Sequence, residues 1–366
     1  MKCITKEDFE QYSGIMVAAE VREGQLTDSA IELVSEAKRL ADVTGESVIA
    51  LVIGSGVTET AKALAGYGAD KVIVCDDPLL ADYTTNAYTK AVCEVVENVK
   101  PDILMIGATT IGRDLAPRCA ARLKTGLNAD CTILHASRDG YMKYLAENSQ
   151  LDLSTMEAKV DEKSLKMTMP AFGGHMMATI TCPVYRPQMV TVRPGVMTAG
   201  EFDAAKAEAC IPEVYDCSMS EDDLGVQILN IVKNMGNTVD MTKAEVIVSV
   251  GHGIQADVEK GLALANELAE LLGGTIGCSR DVSTEGWVAE ERMIGQTGKI
   301  VRPKLYLALG ISGAIQHIGG MKDSGYIIAV NKDKNAPIFG VADVGIVGDL
   351  FDVVPKLIAD IKKAKA

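Results

Sequence analysis

The side chains best placed to do chemistry fall in one short segment, Leu309-Gly310-Ile311-Ser312-Gly313-Ala314-Ile315-Gln316-His317. An apolar run ends at Leu309, and a helix is expected to open at Ser312, its hydroxyl serving as N-cap. The free N–H groups of such a helix start, together with its dipole, favour an anion. Ser312, Gln316 and His317 then gather hydrogen-bonding groups on one glycine-flanked turn. A lone histidine is more often a packing residue; the company of Ser312 and Gln316 raises the functional reading of His317.

Glycine points to the same region. Residues 251–320 hold 13 of the chain's 34 glycines, where about five are expected at ordinary usage. Many directly follow predicted strands: Gly251 and Gly253, Gly277, Gly310 and Gly313. Backbone N–H groups at such turns can approach a phosphate. Any single one of these glycines is accounted for by a tight turn, whereas the cluster points to a nucleotide site.

Other chemistries are excluded on spacing. Met293-Ile294-Gly295-Gln296-Thr297-Gly298-Lys299 superficially resembles a phosphate loop. Met293 stands where that motif needs glycine, and Ile300 follows the lysine where it needs Ser or Thr. ATP hydrolysis by a P-loop is therefore rejected, and a polar loop touching ribitol or phosphate remains open. Gly54-Ser55-Gly56-Val57-Thr58-Glu59 is a partial dinucleotide fingerprint, but Glu59 replaces the last glycine and the segment follows the second strand. It is read as an ordinary turn and helix cap. The four histidines, 135, 175, 252 and 317, lack metal-ligand spacing, and there is no G-x-S-x-G elbow. Arg113 and Asp114 are read as helix-start charges.

These segments need a frame to hold them. The 366 residues carry 36 Lys plus Arg and 50 Asp plus Glu, a net charge of −14. That balance offers no basic face to a nucleic acid. No apolar run approaches the roughly 18 residues of a membrane span, and the first residues lack a secretory signal's apolar region. Nine scattered cysteines read as reduced thiols, so a cytoplasmic protein is expected.

Apolar runs at 14–19, 47–53, 72–75 and 103–106 alternate with helical periodicity at 27–41, 57–65 and 84–98. That alternation predicts a parallel sheet covered on both faces, with any ligand at the carboxyl ends of the strands. Short strands at 167–170, 178–181 and 189–192 are expected to extend the sheet or form an arm on its edge. The polar stretch 197–224 reads as an interdomain connection. A second alternating block follows, with strands near 245–250, 275–278, 304–309, 326–330 and 337–341 and helices near 256–272, 312–319 and 350–363. The expected fold is α/β with two parallel-sheet domains, a Rossmann-like N-terminal domain over 1–205 and a flavodoxin-like, doubly wound domain over 241–366. Residues 206–240 are the expected linker and entry to the second domain.

Taken in order, several of these segments resemble the alpha (large) subunit of the electron-transferring flavoproteins. The resemblance is carried by Gly107-Ala108-Thr109-Thr110-Ile111-Gly112-Arg113-Asp114-Leu115-Ala116-Pro117-Arg118, Gly277-Cys278-Ser279-Arg280, Gly295-Gln296-Thr297-Gly298-Lys299 and Gly310 to His317. Asn331-Lys332-Asp333 and the run from Val341 to Phe351 complete it. The resemblance implies one FAD in the C-terminal domain and a smaller beta subunit carrying AMP or a second FAD. It also implies redox partners of the acyl-CoA dehydrogenase type. The implied FAD contacts are His252, Ser279, Arg280, the loop Ile294-Gly295-Gln296-Thr297, the segment Ser312-Gly313-Ala314-Ile315-Gln316-His317, Asn331, Asp349 and Leu350. Arg280 would lie over the flavin ring near N5, and His317 near the C2 carbonyl. Thr297 would reach N5, and Asn331 and Asp349 the ribose and adenine side. His252 stands where the family commonly carries arginine near the FAD phosphates.

The expected function is an electron carrier that shuttles electrons between dehydrogenases and a redox acceptor. Members from anaerobic bacteria include electron-bifurcating forms. Two rival readings are a flavin- or nucleotide-dependent oxidoreductase with its own small substrate, and a nucleotide-binding regulatory module.

Overall fold

The structure, a computed structural model, describes residues 6–149, 151–156, 160–171, 176–231, 241 and 244–365. Contacts divide the chain into two units that part near residue 230. The first is built on seven strands, β1 (Ile15–Ala19), β2 (Val48–Gly54), β3 (Lys71–Asp76), β4 (Ile103–Gly107), β5 (Leu127–Cys131), β6 (Gln188–Val192) and β7 (Glu213–Val214). They form one parallel sheet in the order β7-β3-β2-β1-β4-β6-β5. Alternate residues of β2 feed separate cores. Val48, Ala50 and Val52 face one cluster, while Ile49, Leu51 and Ile53 face the other. Continuous apolar strands are what a sheet covered on both sides demands.

Three helices cover it: α1 (Asp28–Thr44), α2 (Thr85–Val99) and α3 (Thr110–Leu123). Thr27 caps α1 by accepting from the Ala30 N–H, and Gly45 closes it in a left-handed turn.

Two parts of the sequence reading change here. Of the two expectations for 189–192, extension of the sheet holds and an edge arm does not: β6 lies inside the sheet between β4 and β5, with all five residues buried. The other two short strands, Lys166–Ala171 and Met176–Ile180, pair antiparallel and join Ile133–His135 in a separate three-stranded sheet. The stretch expected to connect domains is folded against the first unit instead. β7 pairs with β3, Cys217 places its thiol 2.8 Å from that of Cys75 on β3, and Lys90 on α2 holds Asp223 at 2.9 Å.

The second unit is a five-stranded parallel sheet of β8 (Val246–Val250), β9 (Thr275–Cys278), β10 (Leu305–Leu309), β11 (Ile327–Asn331) and β12 (Val344–Val347). The order is β9-β8-β10-β11-β12. The chain runs outward from β8 to β9, then returns to β10 on the other side. That reversal makes the gap beyond the ends of β8 and β10 the switch point, where doubly wound sheets bind ligands. The main helices are α4 (Val258–Leu272), the single turn α5 (Ile315–Ile318) and α6 (Leu350–Lys365).

Two expectations fail in this unit. Residues 337–340 form a 3₁₀ turn, and the last strand begins at Val344. Pro337 lacks an N–H for a ladder and suits the start of a helical turn. The helix expected from Ser312 starts at Ile315, with Ala314 in the N-cap position and no side-chain cap. Gly313 is the reason: its φ of +92° lies outside the helical region.

Candidate functional site

The turns after β8 and β10 meet backbone against backbone. A methyl group on Gly251 would stand 2.4 Å from the Gly310 carbonyl oxygen, so no side chain fits between the two turns. This close approach opens a cavity of about 880 Å³ at the switch point, within the roughly 300–1,000 Å³ range of small-molecule and cofactor sites. A second cavity, about 990 Å³, lies in the first unit and is lined by Gly14, Ile15 and Ile103, at the amino ends of their strands. Its Asp102 is already paired with Arg186 and accepts from Gln188. The smaller cavity is therefore the better candidate, by position and by what its walls leave unpaired.

The wall is built from five places. The 3₁₀ turn after β8 brings His252, which stacks on Trp287 with ring centroids 5.5 Å apart. The end of β9 brings buried Ser279 and exposed Arg280. The loop after it brings Ile294, Gly295, Gln296 and Thr297; the Gln296 N–H donates to the Gln316 carbonyl at 2.9 Å, tying that loop to α5. The turn after β10 brings Ser312, Ala314, Gln316 and His317. Asn331 closes the end of β11, donating from Nδ2 to the Ile311 carbonyl at 2.8 Å while its Oδ1 accepts from the Asp333 N–H.

Four residues named from the sequence lie outside that wall. The backbone of Gly313 faces Ile338, and Ile315 is exposed. Leu350 is buried in the core beside Gly310. Asp349 accepts from the Phe351 N–H at 2.9 Å. Two polar wall residues, Gln255 and Asp281, had no signal of their own, and Lys332 was marked only as part of the Asn331-Lys332-Asp333 segment.

Two wall atoms are buried without a hydrogen-bond partner among the described residues: Ser279 Oγ and His317 Nδ1. Buried polar atoms are normally paired, so each is open to a partner from outside the described residues. The Arg280 guanidinium makes no ion pair with any described residue and is free for a ligand. Burial pushes the His317 imidazole down to about 4, outweighing the Ile294 carbonyl, which favours the protonated ring. His317 is therefore neutral near pH 7 and acts through a hydrogen bond, not a charge. The helix dipole expected beside it is missing, because α5 is only one turn long. A free cation, an unpaired hydroxyl, an unpaired imidazole and close glycine turns fit a polar, phosphate-bearing cofactor. The described residues include no cluster of His, Cys, Asp and Glu able to hold a metal.

Comparison with known proteins agrees with this geometry. Residues 15–216 match the electron transfer flavoprotein domain, and residues 240–322 match the electron transfer flavoprotein FAD-binding domain. The chain belongs to the electron transfer flavoprotein alpha-subunit family. A relative from Anaerotignum propionicum, "Acryloyl-CoA reductase electron transfer subunit beta", is 53% identical over 98% of both chains. "Electron transfer flavoprotein subunit alpha" of Thermoanaerobacterium thermosaccharolyticum is 47% identical over 97% of this chain and 99% of its own. "Lactate dehydrogenase (NAD(+),ferredoxin) subunit LctC" of Acetobacterium woodii is 39% identical over 96% of this chain and 77% of its own. The FAD-binding match covers β8, β9, β10 and α5, the elements that carry most of the cavity wall, so the second unit has a flavin-binding role. No helix among the described residues is long and apolar enough to cross a membrane.

Proposed function

We propose that this chain is the flavin-bearing subunit of an electron carrier and holds one FAD in the switch-point cavity of its second unit. The observation that carries the reading is the pair of buried, unpartnered atoms, Ser279 Oγ and His317 Nδ1, in a cavity that also offers an unpaired Arg280. When bound, the flavin supplies the redox chemistry, accepting and returning electrons. The protein's part is to bind it, exclude water and set its potential. Arg280 supplies positive charge beside the isoalloxazine, and His317 supplies a hydrogen-bond donor at its C2 side. Both favour the negative charge that reduction places there. Thr297 serves N5. The turns at His252 and Gly310 serve the phosphates, and Asn331 serves the ribose side.

A smaller beta subunit completes the carrier, and a dehydrogenase or reductase of the acyl-CoA class exchanges electrons with it. The acryloyl-CoA reductase relative supports that partner class. The lactate dehydrogenase relative, whose name carries both NAD(+) and ferredoxin, supports a second reading in which the assembly is electron-bifurcating and the partner subunit holds another FAD.

The test is co-purification of both subunits with FAD and AMP counted per assembly. One FAD and one AMP fit the simple carrier, two FAD fit the bifurcating form, and no flavin refutes both. Arg280→Ala is expected to lower the flavin potential by about 59 mV, a tenfold change in a one-electron equilibrium, in a redox titration. An unchanged potential removes Arg280 from the flavin's surroundings.

A further inference from the structure

Tyr306 sits in β10 and is fully buried; it does not line the cavity. Its register partner on β8 is Ile247, so Ser249, two residues further along, shares the same face of the sheet. The phenol oxygen lies 2.9 Å from Nε2 of His317. The other ring nitrogen, Nδ1, is the unpartnered one. A neutral imidazole carries a single ring proton, and the nitrogen that holds it is the donor. Whether His317 gives or takes a hydrogen bond at the cavity is therefore decided on the Tyr306 side of the ring.

We infer that Tyr306 is a positioning residue for the flavin site: its hydroxyl donates to Nε2 of His317 and so keeps the ring proton on Nδ1, the nitrogen left for the cofactor. Burial pushes the Tyr306 phenol well above its ordinary range, so the hydroxyl keeps its proton and needs an acceptor. Nε2 of His317 lies within hydrogen-bond distance of it. Ser249 Oγ makes no hydrogen bond to any described residue. That leaves Nε2 as the acceptor. In the opposite tautomer Nε2–H would face the phenol oxygen and Nδ1 would turn a bare lone pair toward the cavity. A lone pair there repels a carbonyl oxygen and any negative charge that reduction adds.

The inference rests on the cavity being the FAD site and goes beyond it by assigning a residue that touches neither the cavity nor the cofactor. The test uses the assembly as purified, with isotope-labelled histidine and NMR, and with His317→Gln to assign the signal. The wild type is expected to show His317 as the Nδ1–H tautomer. Tyr306→Phe keeps the ring volume and is expected to retain its FAD. Its His317 signal is expected to move to the averaged position of mixed tautomers. Its one-electron equilibrium constant should fall about tenfold, a potential lower by ~59 mV. An Nε2–H signal in the wild type overturns the inference without any variant. Unchanged signal and potential in Tyr306→Phe overturn it as well. A wild type that releases no FAD on unfolding refutes the site itself, and the tautomer in that same sample still decides whether Tyr306 fixes the ring.

Discussion

Burial of His317 as a neutral ring has a consequence for acid stability that can be worked from the structure. The imidazole sits at about 4 in the folded chain, against an ordinary 6.5. Between those values the unfolded chain binds a proton that the folded chain does not. Acid therefore favours unfolding, and stability rises with pH until about pH 7. That displacement is equivalent to about 3 kcal/mol when fully expressed below pH 4. At pH 5 the expected loss is about 2 kcal/mol. His317→Gln keeps a polar group beside Tyr306 and removes the titration. The assay is denaturant unfolding of the flavin-free chain at pH 8 and pH 5, followed by tryptophan fluorescence. Trp287 is the chain's one tryptophan and packs against the second unit's core, so the signal reports that unit alone. Wild type should lose about 2 kcal/mol more than His317→Gln between the two pH values. Parallel losses would refute the neutral, desolvated histidine, because all other titrating groups are shared.

Three further outcomes are expected. Gly313→Ala forces a φ of +92° on an L-residue and sets its methyl 2.2 Å from the Ile338 nitrogen. The left-handed strain alone is about 1–2 kcal/mol, so thermal melting should fall by several degrees and flavin content should drop with it. Asn331→Ala removes one donor bond and one acceptor bond, to Ile311 and Asp333. It should cost roughly 2 kcal/mol in denaturant melts, and Asn331→Asp, which keeps only the acceptor, should fall between. Asp76→Ala strips the cap from the N–H groups of Gly56, Val57 and Thr58. The expected loss is about 2 kcal/mol in unfolding followed by circular dichroism, with no change in flavin content.

The parallel sheets were legible because their strands are buried on both faces and read as unbroken apolar runs. β2 and β8 appear almost residue for residue. The short elements were not legible. β7 is two residues long and exposed, and it owes its existence to an open edge on β3 that no local pattern announces. β6 looked like part of an arm because the chain between β5 and β6 leaves the sheet for an antiparallel excursion. Sequence order could not show its return between β4 and β5. In the site, glycine density marked the turns correctly, because backbones that touch exclude a Cβ. Gly313 misled for the same reason. A glycine at that spacing reads as the flank of a helix start, whereas its positive φ delays the helix to Ile315. Tyr306 gave no signal, since a tyrosine in an apolar strand looks like core until its hydroxyl is seen against His317.

Both units have parallel sheets whose order reverses, so topology alone does not say which of them holds a nucleotide. Side-chain pairing does. In the first unit the glycine turn after β2 is filled from within: Asp76 accepts from the N–H groups of Gly56, Val57 and Thr58 and from the Thr58 hydroxyl. Burial raises that carboxyl, but the bonds it accepts outweigh burial and hold it below its ordinary value, so it stays charged where a phosphate would otherwise sit. At the ends of β1 and β4, Thr109 donates to Glu20, and Arg113 and Arg193 share Asp130. These side chains already have their partners. In the second unit the corresponding turns leave Ser279 Oγ and His317 Nδ1 buried without a partner among the described residues, with Arg280 beside them in no ion pair with any of those residues. An anion entering the first unit must displace Asp76, whereas one entering the second completes bonds that the fold leaves open. That difference at the strand ends, together with the FAD-binding match over residues 240–322, supports a flavin-binding role for the second unit.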